Sequence, residues 1–326
     1  MTMPNFTYVR PKSLKETFGH LSVGNARIHA GGTDLLGCLR DYVFTTEKVV
    51  SISRLDELKR VERLKDGSFR IGALATVAEL TNHALVREFY PALAQAALEV
   101  ASPQLRNQGT IGGNLCQKPR CWYYRGEFHC TRKGGTQCFA MMGENQYHCI
   151  LGGRGCYIVH PSDIAPVLMA YGASIEIAGA KGNKKIPIDK FFVLPEKDIT
   201  RETVLEPGEV LTAVLLPPTE QGFHSSYRKV RARGSWDFAL AGVALALRFH
   251  ERRVASARIV LSGAAPIPWR CPDSEKVIMG QSLDDQIIAQ AAAAAMREAR
   301  PMRHNEYKIE LFKGLIAEEL AAYKQS

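Results

Sequence analysis

The sequence predicts an α+β protein with two domains. Its 326 residues are too many for one compact core, and 46% hydrophobic with 23% charged residues is typical of globular proteins. Strand-like and helix-like segments alternate until a Pro-Pro pair at 217–218, which predicts a domain boundary. Beyond it, several strands are followed by two helices, as in a smaller α+β domain. We therefore expect one domain over residues 1–220 and a second over 221–326.

The elements of the first domain follow from apolar periodicity. A strand is predicted at "ARIHA", then a glycine turn and the helix "DLLGCLRDYV". Two more strands, "EKVVSISRL" and "FRIGALAT", precede the helical segments "VAELTNHALVREF" and "YPALAQAALEVAS". Further on, "CYIVHPSDIAPVLMAYGASIEIAGA" predicts a strand, a cap, a helix and a strand. The segment "LEPGEVLTAVLLPP" closes the domain.

The second domain begins with strands and ends with helices. The stretch "SSYRKVRARGSWDFALAGVALALRFHERRVASARIVLSGAAPIPWR" predicts strands with a hairpin at "HERR". Two helices are expected at "DDQIIAQAAAAAMREA" and "EYKIELFKGLIAEELAAYK".

Charge and hydropathy narrow the function classes. The net charge is +9, but the basic residues are scattered, so a solvated surface or an acidic partner is favoured over nucleic acid. No stretch approaches the roughly 18 apolar residues of a membrane span, so membrane insertion is not expected. The first residues contain no apolar signal core. We expect a cytoplasmic protein, or a periplasmic one if a partner subunit carries it across folded.

Two glycine turns are candidate phosphate-binding segments. "AGGTDLL" (30–36) and "TIGGNL" (110–115) each combine a glycine pair with a hydroxyl side chain before a helix. Glycine lets backbone N–H groups approach a ligand, and Thr33 and Asp34 occupy expected cap positions. Either turn alone is weak evidence, because a Gly-Gly turn before a helix is common without any ligand. Neither matches the G-x-G-x-x-G or Walker pattern, so two turns would have to converge on one pyrophosphate.

Six of the eight cysteines lie between residues 116 and 156. The surrounding segment shows neither helical nor strand periodicity, and a loop of this length requires something that organises it. There is no C-x-x-C, and the ferredoxin spacings are absent. Four thiols remain as a candidate metal-binding set, and the flanking cations could balance their charge: Cys121, Cys130, Cys138 and Cys156, with Arg120, Arg125, Arg132 and Lys133.

Spacing alone leaves three interpretations of these thiols open. They could hold an iron–sulfur cluster, hold zinc, or be unpaired structural cysteines. Cys116 or Cys149 could replace one of the four. Cys38 and Cys271 are isolated in sequence and are expected to be small buried side chains.

Several motifs together resemble one family. "AGGTDLL", "RNQGTIGGNLCQ", "HPSDIAPVLMAYGA", "LEPGEVL" and "YRKVRARGSWDFALAGVALAL" occur in the order found in the flavin-carrying medium subunit of the molybdenum hydroxylases, the xanthine dehydrogenase group. The resemblance implies an FAD-binding domain of the p-cresol methylhydroxylase and vanillyl-alcohol oxidase type, then a carbon monoxide dehydrogenase flavoprotein C-terminal domain. The FAD-binding residues that it implies are Ile28, His29, Ala30, Gly31, Gly32, Thr33, Asp34, Leu35, Val100, Thr110, Gly112, Gly113, Asn114, Asp163, Leu211 and Lys229.

The resemblance also assigns roles to single residues. Asp163 would bind polar groups of the cofactor, Leu211 would pack near the flavin, and Lys229 would lie close to the isoalloxazine. Two alternatives stay open at this point: Asp163 could simply cap its helix, and Lys229 could be an exposed strand residue.

Residues 117–156, which we call the cysteine loop, resemble an insertion found in one branch of the family. That branch includes 4-hydroxybenzoyl-CoA reductase and a bacterial aldehyde oxidoreductase, whose flavin subunits carry a [4Fe-4S] cluster. The resemblance implies that Cys121, Cys130, Cys138 and Cys156 are the cluster ligands. The intervals between the first two and the last two cysteines differ from those of the reductase.

The resemblance implies an electron-transfer subunit rather than the site of substrate chemistry, so no catalytic residue is assigned to this chain. Its expected partners are a molybdopterin-binding large subunit, a small subunit with two [2Fe-2S] clusters, and an external carrier such as ferredoxin, NAD or a quinone. The alternatives are a stand-alone FAD-dependent oxidase of the same flavin fold and a basic zinc protein that binds nucleic acid.

Overall fold

The computed structural model describes residues 3–220 and 222–324. The strands are Thr7–Val9 (β1), Ala26–His29 (β2), Lys48–Ser51 (β3), Val61–Arg63 (β4), Phe69–Gly72 (β5), Ser174–Gly179 (β6), Gly182–Pro187 (β7), Val210–Leu216 (β8), Phe223–Val230 (β9), Ala241–His250 (β10), Arg253–Ser262 (β11) and Trp269–Arg270 (β12). The helices are Leu14–Leu21 (α1), Leu35–Arg40 (α2), Val77–Asn82 (α3), Ala84–Phe89 (α4), Pro91–Glu99 (α5), Pro103–Gln108 (α6), Ile111–Leu115 (α7), Trp122–Arg125 (α8), Ile164–Ala170 (α9), Pro272–Ile278 (α10), Asp285–Ala295 (α11) and Tyr307–Ala321 (α12).

The strands form three sheets. The first is small and parallel, in the order β1-β3-β2. The central sheet has the order β4-β5-β8-β6-β7 and is antiparallel. The third has the order β12-β11-β10-β9 and is also antiparallel. The mixed helix and strand content agrees with the predicted α+β class.

The apolar core explains how the sheets are held together. Helices α5 and α9 pack between the central sheet and one face of the third sheet, whereas α10, α11 and α12 cover its other face. Strand β10 therefore has two buried faces. Ala244 and Ala246 point to the core between the central and third sheets, and Val243, Leu245 and Leu247 point to the core under α10, α11 and α12. Burial on both faces accounts for the nearly continuous apolar sequence of this strand.

Most of the predicted elements are present, with two differences. The helix expected over "VAELTNHALVREF" is split into α3 and α4, because His83 adopts an extended conformation between them. The strand expected at "CYIV" does not form. The backbone around this segment bonds to two separate parts of the chain: Cys149 N donates to Tyr157 O, and His160 N donates to Ala265 O. Because neither contact continues along the segment, no strand ladder forms there. The hairpin at "HERR" joins β10 and β11 as predicted.

The cysteine loop contains little regular structure. It forms helix α8 and two single 3₁₀ turns, at Thr131–Lys133 and Phe139–Met141. Aromatic side chains pack against one another along it, with ring centroids 5.0 Å apart for Tyr123 and Phe128 and 5.1 Å apart for Phe128 and Phe139. Within residues 3–220 and 222–324, no helix is both long and apolar enough to span a membrane.

Candidate functional site

A cavity of about 990 Å³ is lined by residues of both the small parallel sheet and the central sheet. Both glycine turns face it, together with the start of β8, the segment that precedes β8, and part of the cysteine loop. The two turns lie about eighty residues apart in sequence but meet at one cavity, as the sequence required for a shared ligand.

Close backbone contact brings the two turns together. A β-carbon at Gly31 would overlap the carbonyl oxygen of Gln108, just before the second turn. A β-carbon at Gly112 would lie 2.9 Å from both the side chain and the carbonyl oxygen of Ala73 at the end of β5. Gly32 has a φ of +74°, which an L-residue rarely adopts. The glycines therefore allow the packing of the turns and leave backbone N–H groups near the cavity.

The second turn is fixed by side-chain hydrogen bonds. The hydroxyl of Thr110 accepts a hydrogen bond of 3.1 Å from Gly113 N and caps α7. The side chain of Asn114 contacts the hydroxyl of Ser162, 2.5 Å away, and that hydroxyl accepts a hydrogen bond from Ala165 N. These two hydrogen bonds link the second glycine turn to the N-terminal end of helix α9.

Asp34 does not cap α2 with its side chain, although it occupies the N-cap position. Its carboxylate faces the cysteine loop instead. It accepts hydrogen bonds of 2.7 Å from Lys118 N and from Arg125 Nη2, and Arg120 Nη2 lies 2.9 Å away. The predicted N-cap position of Asp34 is thus confirmed, but two guanidinium groups and an amide of the cysteine loop bind its carboxylate in place of the backbone N–H groups of its own helix.

A second buried carboxylate holds the other side of the cysteine loop. Glu202 pairs with Lys118 and with Arg132, whose side chain is 1% exposed, and Arg132 also donates to Ile199 O. Burial alone would raise the pKa of Glu202, but Lys118 and Arg132 lower it more, so the pKa lies below its ordinary value. Glu202 is therefore ionised at neutral pH and anchors the loop beside the cavity.

Asp163 and Lys229 form a buried ion pair near the C-terminal sheet. Lys229 Nζ lies 2.8 Å from Asp163 Oδ2 and 3.1 Å from Glu99 O, and its side chain is 0% exposed. The hydroxyl of Tyr227 donates to Asp163 Oδ1 at 2.7 Å. Burial raises the pKa of Asp163, and Lys229 and Tyr227 oppose that rise. Both simpler alternatives are wrong: Asp163 makes no side-chain cap bond, and Lys229 is not exposed.

The candidate ligand cysteines lie near one another in the cysteine loop. Cys138 and Cys156 lie close enough to Cys121 for their charges to raise the pKa of its thiol. Cys121 and Cys130 belong to one small apolar cluster. Cys149 is buried and within reach of Cys138 and Cys156, whereas Cys116 lines the large cavity. The alternative of Cys149 as a ligand therefore stays open.

Burial raises the pKa of the Cys121 thiol to about 12. Within residues 3–220 and 222–324, no three His, Cys, Asp or Glu side chains are arranged to hold a single metal ion. Cys38 and Cys271 are buried, as expected.

The cations of the cysteine loop do not all face the thiols. Arg120 and Arg125 pair with Asp34, and Lys133 donates to Gly126 O at 2.6 Å. Arg132 approaches a candidate ligand, Cys156, while it is paired to Glu202. Three of the four cations, Arg120, Arg125 and Arg132, are therefore paired with the carboxylates of Asp34 and Glu202, and their role in balancing the charge of the thiols stays a prediction.

Comparison with known families decides the identity of the fold. Residues 4–219 match the model described as the FAD-binding domain in molybdopterin dehydrogenase. The chain belongs to this family. Residues 225–322 of the flavin subunit match the carbon monoxide dehydrogenase flavoprotein C-terminal domain. It is thus a medium subunit of the xanthine dehydrogenase and carbon monoxide dehydrogenase type, and a component of an oxidoreductase.

Individual relatives cover nearly the whole flavin subunit. It is 35% identical over 326 residues to the aldehyde oxidoreductase FAD-binding subunit PaoB of Escherichia coli K12, with 98% of each chain covered. It is 26% identical to the xanthine dehydrogenase FAD-binding subunit of Escherichia coli O157:H7, with 97% and 96% covered. A solved carbon monoxide dehydrogenase from Hydrogenophaga pseudoflava, lacking the Mo-pyranopterin moiety, superposes with a TM-score of 0.79 at 25% identity and full coverage of both chains.

The structure divides the implied FAD-binding residues into two groups. Eleven of them line the large cavity: Ile28, Ala30, Gly31, Gly32, Thr33, Asp34, Leu35, Thr110, Gly112, Gly113 and Leu211. The other five do not line it. His29 lies beside Ser51, 3.4 Å between Nδ1 and Oγ, and Asn114 faces Ser162. Val100, Asp163 and Lys229 lie together around the buried ion pair, where Val100 directly follows the carbonyl that Lys229 contacts.

Sequence reasoning missed several residues of the cavity wall. The cysteine loop supplies Gln117, Lys118, Tyr124, Arg132 and Lys133, and the segment before β8 supplies residues 200–203 and 205–209. The family signature pointed to glycine turns, whereas these residues have no local motif. Three of these five loop residues, Lys118, Arg132 and Lys133, are cations, which was a usable signal for an anionic ligand.

Proposed function

We propose that this chain is the electron-transfer subunit of a molybdenum hydroxylase complex, with FAD in the large cavity and a [4Fe-4S] cluster in the cysteine loop. FAD accepts two electrons and releases them singly, so it can join a two-electron reaction to one-electron carriers. The observation that carries the proposal is the convergence of two glycine turns on one cavity in a chain of the FAD-binding family.

The residues around the cavity suit a dinucleotide. The glycine turns offer backbone N–H groups without side-chain obstruction, and Thr33 and Thr110 add hydroxyl groups. Lys118, Arg132 and Lys133 lie on the cysteine-loop wall, where Glu202 balances one of their charges; the remaining positive charge favours a pyrophosphate. A volume of about 990 Å³ lies at the upper end of the range for cofactor pockets, roughly 300–1,000 Å³.

The buried pair Asp163–Lys229 does not line the large cavity, so in this proposal it supports the flavin ring through the residues around it. Lys229 and Asp163 are bonded to each other and to fixed neighbours, so they hold β9 and the start of α9 in place without reorganisation when the cofactor binds. The pair would thus keep the ring-binding end of the domain rigid, while the glycine turns bind the phosphates. No side chain of this subunit acts as a general acid or base.

The cysteine loop suits a cluster rather than a single ion. Each thiolate of a [4Fe-4S] cluster binds a different iron, so its ligands stand farther apart than those of one ion. Cys121, Cys130, Cys138 and Cys156 lie in one region, and backbone N–H groups of Tyr123 and Tyr124 act to lower the pKa of the Cys121 thiol, against the effect of burial. Such N–H donors stabilise the negative charge of cluster thiolates. The cluster would serve as an additional one-electron site.

The partners follow from the family. The proposed complex contains a molybdopterin-binding large subunit, where substrate chemistry occurs, and a small subunit with two [2Fe-2S] clusters. Electrons would leave to an external carrier, either ferredoxin, NAD or a quinone. A relative at 35% identity is the FAD-binding subunit of an aldehyde oxidoreductase, so aldehydes are the substrate class to test first.

One set of measurements on the purified complex tests the proposal. We expect the visible spectrum of a flavin and about four irons and four sulfides in this chain in addition to those of the small subunit. A colourless preparation refutes the flavin. A chain that oxidises an alcohol by itself, without molybdenum subunits, supports the stand-alone oxidase instead.

Paired cysteine variants test the ligand set. We expect Cys130→Ser to remove the iron and to leave FAD bound, whereas Cys149→Ser should retain the iron. If Cys149→Ser loses the iron and Cys130→Ser keeps it, Cys149 is the fourth ligand and the family assignment of Cys130 is wrong.

A further inference from the structure

One histidine of the cysteine loop faces a candidate cluster ligand directly. His148 Nε2 lies 3.2 Å from the sulfur of Cys121. His148 is buried, with 3% of its surface exposed. No acceptor lies within hydrogen-bond geometry of its Nδ1 among residues 3–220 and 222–324. A cluster-bound Cys121 is a thiolate, which can only accept a hydrogen bond, so Nε2 would be the donor in this contact.

The surrounding structure fixes this ring in place. The second domain holds its backbone, because the buried Asn305 donates to the carbonyl oxygens of His148 and Cys149 at 3.1 and 3.2 Å. The imidazole packs edge-on against Trp122, with ring centroids 5.5 Å apart. A side chain held by both packing and backbone contacts keeps its donor oriented, as a functional hydrogen bond requires.

We propose that His148 is a positioning residue that donates a hydrogen bond to the Cys121 thiolate and thereby raises the reduction potential of the cluster. This rests on the proposed function, namely on a cluster bound through Cys121. The reduced cluster carries one more negative charge than the oxidised one. A donor to its sulfur therefore stabilises the reduced form more, and the potential rises.

The decisive variant is His148→Phe, which keeps an aromatic ring but removes the donor. We expect the ratio of reduced to oxidised cluster at a fixed potential to fall about tenfold, which is a decrease of about 59 mV for one electron. His148→Gln, whose amide can donate, should recover part of that decrease. His129→Phe is the matched control, because His129 lies on the same loop but is exposed. The cluster of this control variant should have the reduction potential of the wild-type cluster.

The measurement is an EPR-monitored redox titration of the whole purified complex, with the flavin potential followed in the same sample. An unchanged cluster potential in His148→Phe overturns the inference. A uniform shift of the cluster and flavin potentials also overturns it, because it shows a general structural effect. Wild-type complex without any [4Fe-4S] signal refutes the proposed function instead, so the two failures are distinguishable.

A second readout needs no variant, in case His148→Phe does not assemble. In wild-type complex labelled with ¹⁵N-histidine, pulsed EPR of the reduced cluster should show a weak ¹⁵N coupling through the N–H···S contact. Absence of that coupling in a loaded cluster overturns the inference.

Discussion

The buried pair between Asp163 and Lys229 gives the sharpest test of the fold around the proposed flavin site. We consider Lys229→Met, which keeps the length of the side chain and removes its charge. The change leaves the carboxylate of Asp163 buried with Tyr227 as its remaining side-chain donor. Lys229 is 0% exposed and Asp163 is 5% exposed, so water cannot replace the lost cation.

The expected cost follows from this burial. Removing one partner of a buried ion pair destabilises a protein by about 3 to 5 kcal/mol, because the other charge is left uncompensated. The neighbouring Arg228 on β9 is the matched control: it pairs with Glu318 at 2.6 Å, but the two side chains are 45% and 58% exposed. Arg228→Met should therefore cost no more than about 1 kcal/mol.

Native-state hydrogen exchange of peptides that cover α9 and β9 measures the free energy of local opening. Lys229→Met combined with Asp163→Asn removes both charges, and we expect it to recover most of the loss. The reasoning is refuted if Lys229→Met costs no more than Arg228→Met, or if the double variant is as unstable as the sum of the two single variants.

The same variant has a predicted pH dependence. Burial raises the pKa of Asp163 above its ordinary value despite Lys229 and Tyr227. A carboxyl with a higher pKa in the folded state binds protons on folding, so its contribution is most favourable at low pH and is lost as the pH rises through the folded-state pKa. Loss of Lys229 raises this pKa further. The deficit of Lys229→Met should thus be larger at about pH 8 than at about pH 5.

Three further predictions concern the cavity and its wall. Gly31→Ala should abolish FAD binding, because the new β-carbon would overlap the backbone of the segment before the second glycine turn. Gly37→Ala is the control and should bind FAD normally, because no atom lies within 4 Å of the β-carbon that it adds. Flavin fluorescence measures the bound FAD in both variants. Asp34→Asn removes the charged hydrogen bonds that hold Arg120 and Arg125, and such bonds contribute about 1.5 to 3 kcal/mol. Limited proteolysis should therefore cleave the cysteine loop about tenfold faster in this variant. Asp41→Asn, at an exposed position, is the control and should leave the cleavage rate unchanged. The pKa of Glu202 is depressed, so its stabilising contribution is present above the ordinary value of 4.5 and is lost as the pH falls through the folded-state pKa. Glu202→Gln should therefore make unfolding, followed by fluorescence, less dependent on pH in this acid range. An unaltered acid transition in Glu202→Gln would contradict the assignment.

Local sequence was sufficient wherever the signal was local. The glycine turns, the hairpin at "HERR" and the terminal helices follow from residue types within a few positions of one another, and the structure contains them. The family motifs span most of the chain, and the family and its α+β fold are confirmed.

Tertiary contacts decided what lies across the fold. Asp34 looks like a helix cap from its position, yet its carboxylate binds guanidinium groups about ninety residues away in sequence. Lys229 looks like one of several charged residues on a strand, yet its ammonium group is buried against Asp163. Such pairings depend on desolvation, and no local pattern reveals which charge a fold will bury.

The sequence by itself determined that two glycine turns and a set of cysteines were present, because glycine conformations and thiol chemistry are properties of single residues. Only the tertiary structure decided that the two turns meet at one cavity, that the cations of the cysteine loop bind Asp34 and Glu202, and that His148 faces Cys121. The physical reason is that proximity between distant segments is set by the packing of the three sheets and their helices, which brings together groups that share no sequence neighbourhood.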